Sequence, residues 1–174
     1  PFGIGNAFFR LQTKKIRKVD TVPFGCYRRE IFQKLGLFDP ELIRNQDDEF
    51  NGRLTQNGGT IYLIPDIQVH YYAREKINKL YQMYYQYGLF KPLVNKKLKH
   101  PATIRQFFPL GLVFYLMFYP LIYSFNTYAA VPLLIYLFIA ILFSLILSIK
   151  KRNWLLVWIL PWIFFGIHIS YGVG

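Results

Sequence analysis

The sequence predicts an α/β module followed by an α-helical membrane region of about three spans, and two observations carry that prediction. All nine acidic residues lie at or before Glu75, whereas apolar residues dominate after Gln106. All but three of the 21 Lys and Arg residues lie at or before Arg105, and the remaining three form the cluster Lys150, Lys151 and Arg152. A polar, basic segment is therefore joined to a lipid-soluble one, and the net charge of +12 describes neither by itself. The expected division is a polar module over 1–74, an amphipathic helix and basic linker over 75–106, and the membrane region over 107–174.

In the polar module, Val19 to Cys26 mixes β-branched and aromatic residues before Gly25, which predicts a strand entering a tight backbone position. A helix follows over Arg28 to Leu35, with Ile31, Phe32 and Leu35 at helical spacing and Gly36 as terminator. Phe38-Asp39-Pro40-Glu41 reads as a turn. A second helix over Asn45 to Gln56 can be capped by Asn45, and Asp47, Asp48 and Glu49 suit its positive end. Thr60 to Tyr72 is β-rich and broken at Pro65-Asp66, giving two short strands or one bent strand. The single cysteine, Cys26, excludes an internal disulfide and is expected as a small buried residue.

Ile77, Leu80, Met83, Tyr84, Tyr87 and Phe90 recur at helical spacing with Lys76, Lys79 and Lys91 alongside. That pattern predicts an amphipathic helix on the inner leaflet, where anionic lipids attract each nearby cation by about 1 kcal/mol. Membrane lipids therefore account for the basic charge, and no nucleic-acid-binding module accompanies it. Phe107–Phe125, Tyr128–Ile149 and Trp154–Tyr171 (107–125, 128–149 and 154–171) are three apolar stretches of spanning length, the third interrupted by Pro161 and Gly166. Basic residues before the first stretch and after the second, with an uncharged Asn126-Thr127 hairpin between, place the polar module in the cytosol. His168 is either directed into a helix bundle or an interfacial anchor.

The one dense acidic cluster is Asp47-Asp48-Glu49, and three acids at a helix start can hold a metal, serve as a base or cap the helix. Arg53, four residues after Glu49, is placed for a helix-surface ion pair or for a substrate phosphate. His70, a lone histidine after a strand, reads as structural.

The order of motifs narrows these choices. Val22-Pro23-Phe24-Gly25-Cys26-Tyr27-Arg28-Arg29, Leu35-Gly36-Leu37-Phe38-Asp39, Asn45-Gln46-Asp47-Asp48-Glu49-Phe50-Asn51-Gly52-Arg53-Leu54, Gly58-Gly59, Ile64-Pro65 and Val69-His70-Tyr71-Tyr72 occur in that sequence over roughly Phe2 to Lys91. This resembles the second half of a family 2 glycosyltransferase with a GT-A catalytic domain. It looks most like the subgroup of succinoglycan-type exopolysaccharide glycosyltransferases, in which membrane helices follow the catalytic domain.

The resemblance implies a partial GT-A domain, second half only, that moves a sugar from a nucleotide-sugar donor to a lipid-linked or glycan acceptor with inversion. Asp47 matches the family's catalytic base, and Gln46 stands where the family usually has Glu. Gly25, Asp48 and Arg53 become candidate acceptor- or donor-binding residues, Phe90 a candidate aromatic platform, and His70 a candidate metal contact. A divalent metal, Mg or Mn, is implied, with its main aspartate ligands ahead of Pro1; the chain accordingly reads as a fragment inactive alone. The implied setting is a bacterial inner membrane with the catalytic part cytosolic. The competing expectation is a non-catalytic membrane scaffold or transporter component with a basic cytosolic segment.

Overall fold

A computed structural model describes residues 14–22, 24–67, 72, 74–101 and 104–174. The chain separates into two compact units. One contains the described residues before Arg74 together with Leu89 onward to Pro101, and the other contains Arg74–Gly88 and Ile104–Gly174.

In the first unit, β1 (Arg17–Val19) pairs antiparallel with β2 (Ile61–Leu63), Lys18 facing Tyr62 and Val19 facing Ile61. These two are the strands among the described residues. Of the strand expected over Val19 to Cys26, only Val19 belongs to a strand, at the end of β1, and further on Phe24 takes a left-handed backbone (φ 54°) that an extended ladder does not accommodate. Cys26, in the coil that follows, is exposed rather than buried. Helix α1 (Arg29–Leu35) ends as expected at Gly36, whose N–H still donates to the Phe32 carbonyl at 2.9 Å and whose φ of 83° turns the chain out of the helix.

Helix α2 (Gln46–Gln56) carries Asp47, Asp48 and Glu49 in its first turn. Asn45 occupies the cap position, but in a left-handed conformation (φ 63°, ψ 22°) and without a capping side-chain hydrogen bond. A capping side chain needs an extended backbone to fold over the free N–H groups, so the acids stabilise this end electrostatically. The turn at Pro65-Asp66 follows β2 as expected, and the second half of that β-rich run, His70 included, lies outside the described residues.

Helix α3 (Ile77–Leu98) is longer than its amphipathic stretch predicts, running through Pro92. Pro92 has no N–H for the Gly88 carbonyl four residues earlier, and the division between the two units falls between Gly88 and Leu89. After that point α3 contributes to protein packing. Val94 and Leu98 are buried with Leu42, and Phe90 and Leu93 pack against them. Of the lysines expected to attract lipid, Lys91 is paired with Asp48, and further along α3 Lys97 is paired with both Asp39 and Glu41 at 2.6 Å.

In the second unit, α4 (Phe108–Phe125), α5 (Ala130–Lys151) and α6 (Leu155–Val173) belong to three helical segments long and apolar enough to cross a membrane. The third is unbroken despite Pro161 and Gly166. Pro120 and Pro161 lie inside helices, whereas Pro132 sits in the first turn of α5, where a missing N–H costs nothing. Tyr136, Ala140, Ser144 and Ser148 recur every fourth residue as the buried stripe of α5. Small residues in such a stripe let helices approach, and Ser144 satisfies itself on the Ala140 carbonyl at 2.7 Å. His168 is fully buried, its Nδ1 2.9 Å from the Tyr136 hydroxyl and its ring edge-on to Phe108, which places it in the bundle interior. Gly88 of α3 meets the Tyr171 carbonyl of α6 so closely that no Cβ fits between them.

Candidate active site

The three consecutive acids of α2 have three different environments. Glu49 is buried and forms a two-pronged ion pair with Arg53, Oε1 to Nε at 2.8 Å and Oε2 to Nη2 at 2.9 Å, as their four-residue separation allows. Arg53 is further engaged by the Leu35 carbonyl through Nη1 and the Leu37 carbonyl through Nη2 at 2.9 Å, and its guanidinium lies 5.1 Å from the centre of the Phe50 ring. It thereby ties the end of α1 to α2, which is a structural task.

Asp48 accepts from Lys91 Nζ at 2.7 Å. Asp47 has no ion-pair partner among the described residues. Burial pushes the Asp47 carboxyl above its ordinary value, and the neighbouring Asp48 charge adds to that. Backbone N–H groups at the helix start, and then Lys91, act in the opposite direction. A carboxylate so placed holds a proton more tightly than an exposed one, the direction useful in a general base.

Burial, and then the Asp47 charge, raise the Tyr27 phenol above its ordinary value. Its hydroxyl donates to Asn51 Oδ1 at 2.8 Å, and the Asn51 amide donates to Thr21 Oγ1 at 2.6 Å and to the Val22 carbonyl at 3.4 Å. Asn51 is fully buried, four residues after Asp47 and thus on the same side of α2. The Tyr27 ring also meets Phe50 edge-on at 4.8 Å, and Phe32 and Phe38 complete the cluster around Phe50. A Cβ on Gly25 would fall 2.5 Å from the Tyr27 hydroxyl oxygen. Gly25 therefore makes room for the ring that the Asn51 bond holds in place.

Phe90 is partly buried against the Leu42, Val94 and Leu98 cluster. Earlier on α3, Gln82 and Tyr85 line an open groove of about 420 Å³ together with Tyr81 and with Ile169, Ser170 and Val173 of α6. His70 lies outside the described residues. Sequence reasoning singled out Asp47, Asp48 and Arg53 but not Tyr27, Asn51 or Thr21, and it assigned Lys91 to lipid. The Asp47–Asn51 spacing was a usable signal for Asn51; Lys91, 43 residues from Asp48, had none.

The described residues do not fit a divalent metal. They contain no group of three His, Cys, Asp or Glu side chains able to hold one, and Asp48 and Glu49 are paired with Lys91 and Arg53.

Over 158 residues, 88% of its length, the chain is 34% identical to the dolichyl N-acetyl-α-D-glucosaminyl phosphate 3-β-D-2,3-diacetamido-2,3-dideoxy-β-D-glucuronosyltransferase of Methanococcus voltae. The likeness is to a glycosyltransferase. Over 128 residues, 72% of the chain, it is 29% identical to the succinoglycan biosynthesis protein ExoA of Rhizobium meliloti. The chain spans less than half of each relative, 46% and 38% of their respective lengths. No protein-family profile matches it, and no solved structure does.

Proposed function

We propose that the chain is part of a membrane-bound glycosyltransferase of family 2, with a partial GT-A domain, that moves a sugar from a nucleotide-sugar donor to a lipid-linked glycan acceptor at the cytosolic face. The observation that carries this is the condition of Asp47: in a run of three acids it is the one without a cationic partner among the described residues, half buried, with its carboxyl raised. Similarity to a glucuronosyltransferase, and to a succinoglycan biosynthesis protein, supports the reaction class.

An acceptor hydroxyl is a weak nucleophile. In the proposed step its oxygen attacks the anomeric carbon while the Asp47 carboxylate takes its proton, a new glycosidic C–O bond forms, and the C–O bond to the nucleoside diphosphate breaks with the electron pair leaving on the diphosphate. Attack opposite the leaving group inverts the anomeric centre. General-base help of this kind is worth about 10² to 10⁴-fold. Any Mg or Mn ion is assigned to ligands outside the described residues, and the step above uses none. Donor binding is assigned to the part of the relatives' length that this chain does not span.

The test uses membranes containing the full-length protein and their native lipids, supplied with UDP-hexoses, UDP-N-acetylhexosamines and UDP-uronates in turn, and follows UDP release. Native protein should turn over at least one donor, and Asp47→Asn should lose about 10² to 10⁴-fold while inserting normally. Retained turnover in Asp47→Asn removes the base assignment. Absence of turnover by the native protein favours a non-catalytic scaffold.

A further inference from the structure

We propose that Lys91 is a positioning residue for the Asp47 base: its ammonium, delivered by α3, clamps Asp48 so that the carboxylate beside Asp47 carries a compensated charge. This rests on the reading of Asp47 as base. Lys91 Nζ lies 2.7 Å from Asp48 Oδ2, and the two side chains are only 14% and 29% exposed. The pair is therefore shielded from solvent more than a surface ion pair, and screening by salt is correspondingly weaker. Its geometry is set by packing: Val94 and Leu98, one and two turns further along α3, are buried with Leu42.

The groups acting on Asp47 are few among the described residues. Asp48 on its own helix raises its proton affinity, Lys91 on α3 lowers it, and Tyr27, whose phenol is raised above its ordinary value, stays neutral through the physiological range. Two adjacent carboxylates, one half buried, resist ionising together. A cation on the second relieves that resistance and lets the first stay ionised at lower pH. Lys91 touches neither acceptor nor donor in this account; it acts through Asp48.

Signs distinguish this role from a merely structural one. Removing Lys91 leaves Asp48 as a bare neighbouring anion, so Asp47 binds its proton more tightly and the acid limb of the pH–rate profile moves to higher pH. Removing the Asp48 charge moves it to lower pH. Loss of a structural contact would lower activity in both cases without opposite displacements.

The experiment compares full-length native protein in membranes with Lys91→Met, Lys91→Arg and Asp48→Asn. The Asp47 protonation midpoint is read from the infrared difference between each protein and the same protein carrying Asp47→Asn, and the pH–rate profile is read with whichever UDP-sugar the native protein consumes. The expected result is an upward midpoint in Lys91→Met, restoration in Lys91→Arg and a downward midpoint in Asp48→Asn, each followed by the acid limb. Unmoved midpoints, or midpoints that move the same way in Lys91→Met and Asp48→Asn, overturn the proposal. Midpoints that move as stated in a protein that turns over no UDP-sugar uphold the Lys91 clamp and remove the transferase reading instead.

Discussion

Replacing Arg53 with Met should cost the first unit about 3 kcal/mol, the lower end of what breaking a buried ion pair by removing one partner costs. The structure sets that size. Glu49 is 4% exposed and would keep a negative charge with no cation, while the Leu35 and Leu37 carbonyls would lose their shared donor. The lower end applies because the Arg53 side chain is 24% exposed, so water reaches part of the site. Amide hydrogen exchange on α2 in the full-length protein measures it, since a 3 kcal/mol loss in opening free energy corresponds to about a 100-fold loss of protection. The double variant Glu49→Gln with Arg53→Met removes both charges and should recover at least half of the loss, because the cost lies in the orphaned carboxylate and not in the missing attraction. Protection of α2 within about threefold of native in Arg53→Met, or a double variant no better than the single one, would refute this reasoning.

Three further outcomes follow from named contacts. The acid limb of turnover by the native protein should lie above the ordinary aspartate value of about 3.9, because Asp47 must be ionised to act and burial raises its carboxyl; a pH–rate profile reads it. Gly88→Ala should destabilise the helix bundle by about 1–3 kcal/mol, since its Cβ would meet the Tyr171 backbone carbonyl, whereas Gly111→Ala, with nothing within 4 Å of the added carbon, should be neutral or slightly stabilising; thermal midpoints in detergent compare them. Tyr136→Phe removes the hydroxyl from His168 and should cost about 0.6–1.7 kcal/mol in the same measurement.

Much of the fold was legible in the sequence. Gly36 and the spacing of Ile31, Phe32 and Leu35 located α1, and the apolar runs located the three membrane helices to within a few residues. The errors were also local in origin. The strand expected over Val19 to Cys26 reaches only Val19, and the Asn45 cap failed because the backbone there is not extended. In the candidate site, the acidic cluster and the Glu49–Arg53 pair were visible as neighbours on one helix.

By itself the sequence determined what depends on contiguous residues: helix existence, membrane-spanning length, and three acids at one helix start. Tertiary structure decided which of those acids is neutralised. Lys91 is indistinguishable in the sequence from the other lysines of its basic stretch, and only the packing of Val94 and Leu98 on Leu42 brings it to Asp48. Likewise His168 became an interior residue only when α5 offered Tyr136 to it. The physical reason is common to both: periodicity and hydropathy are summed along the chain, whereas the partner of a charge or a hydroxyl is set by which distant segment comes within about 3 Å.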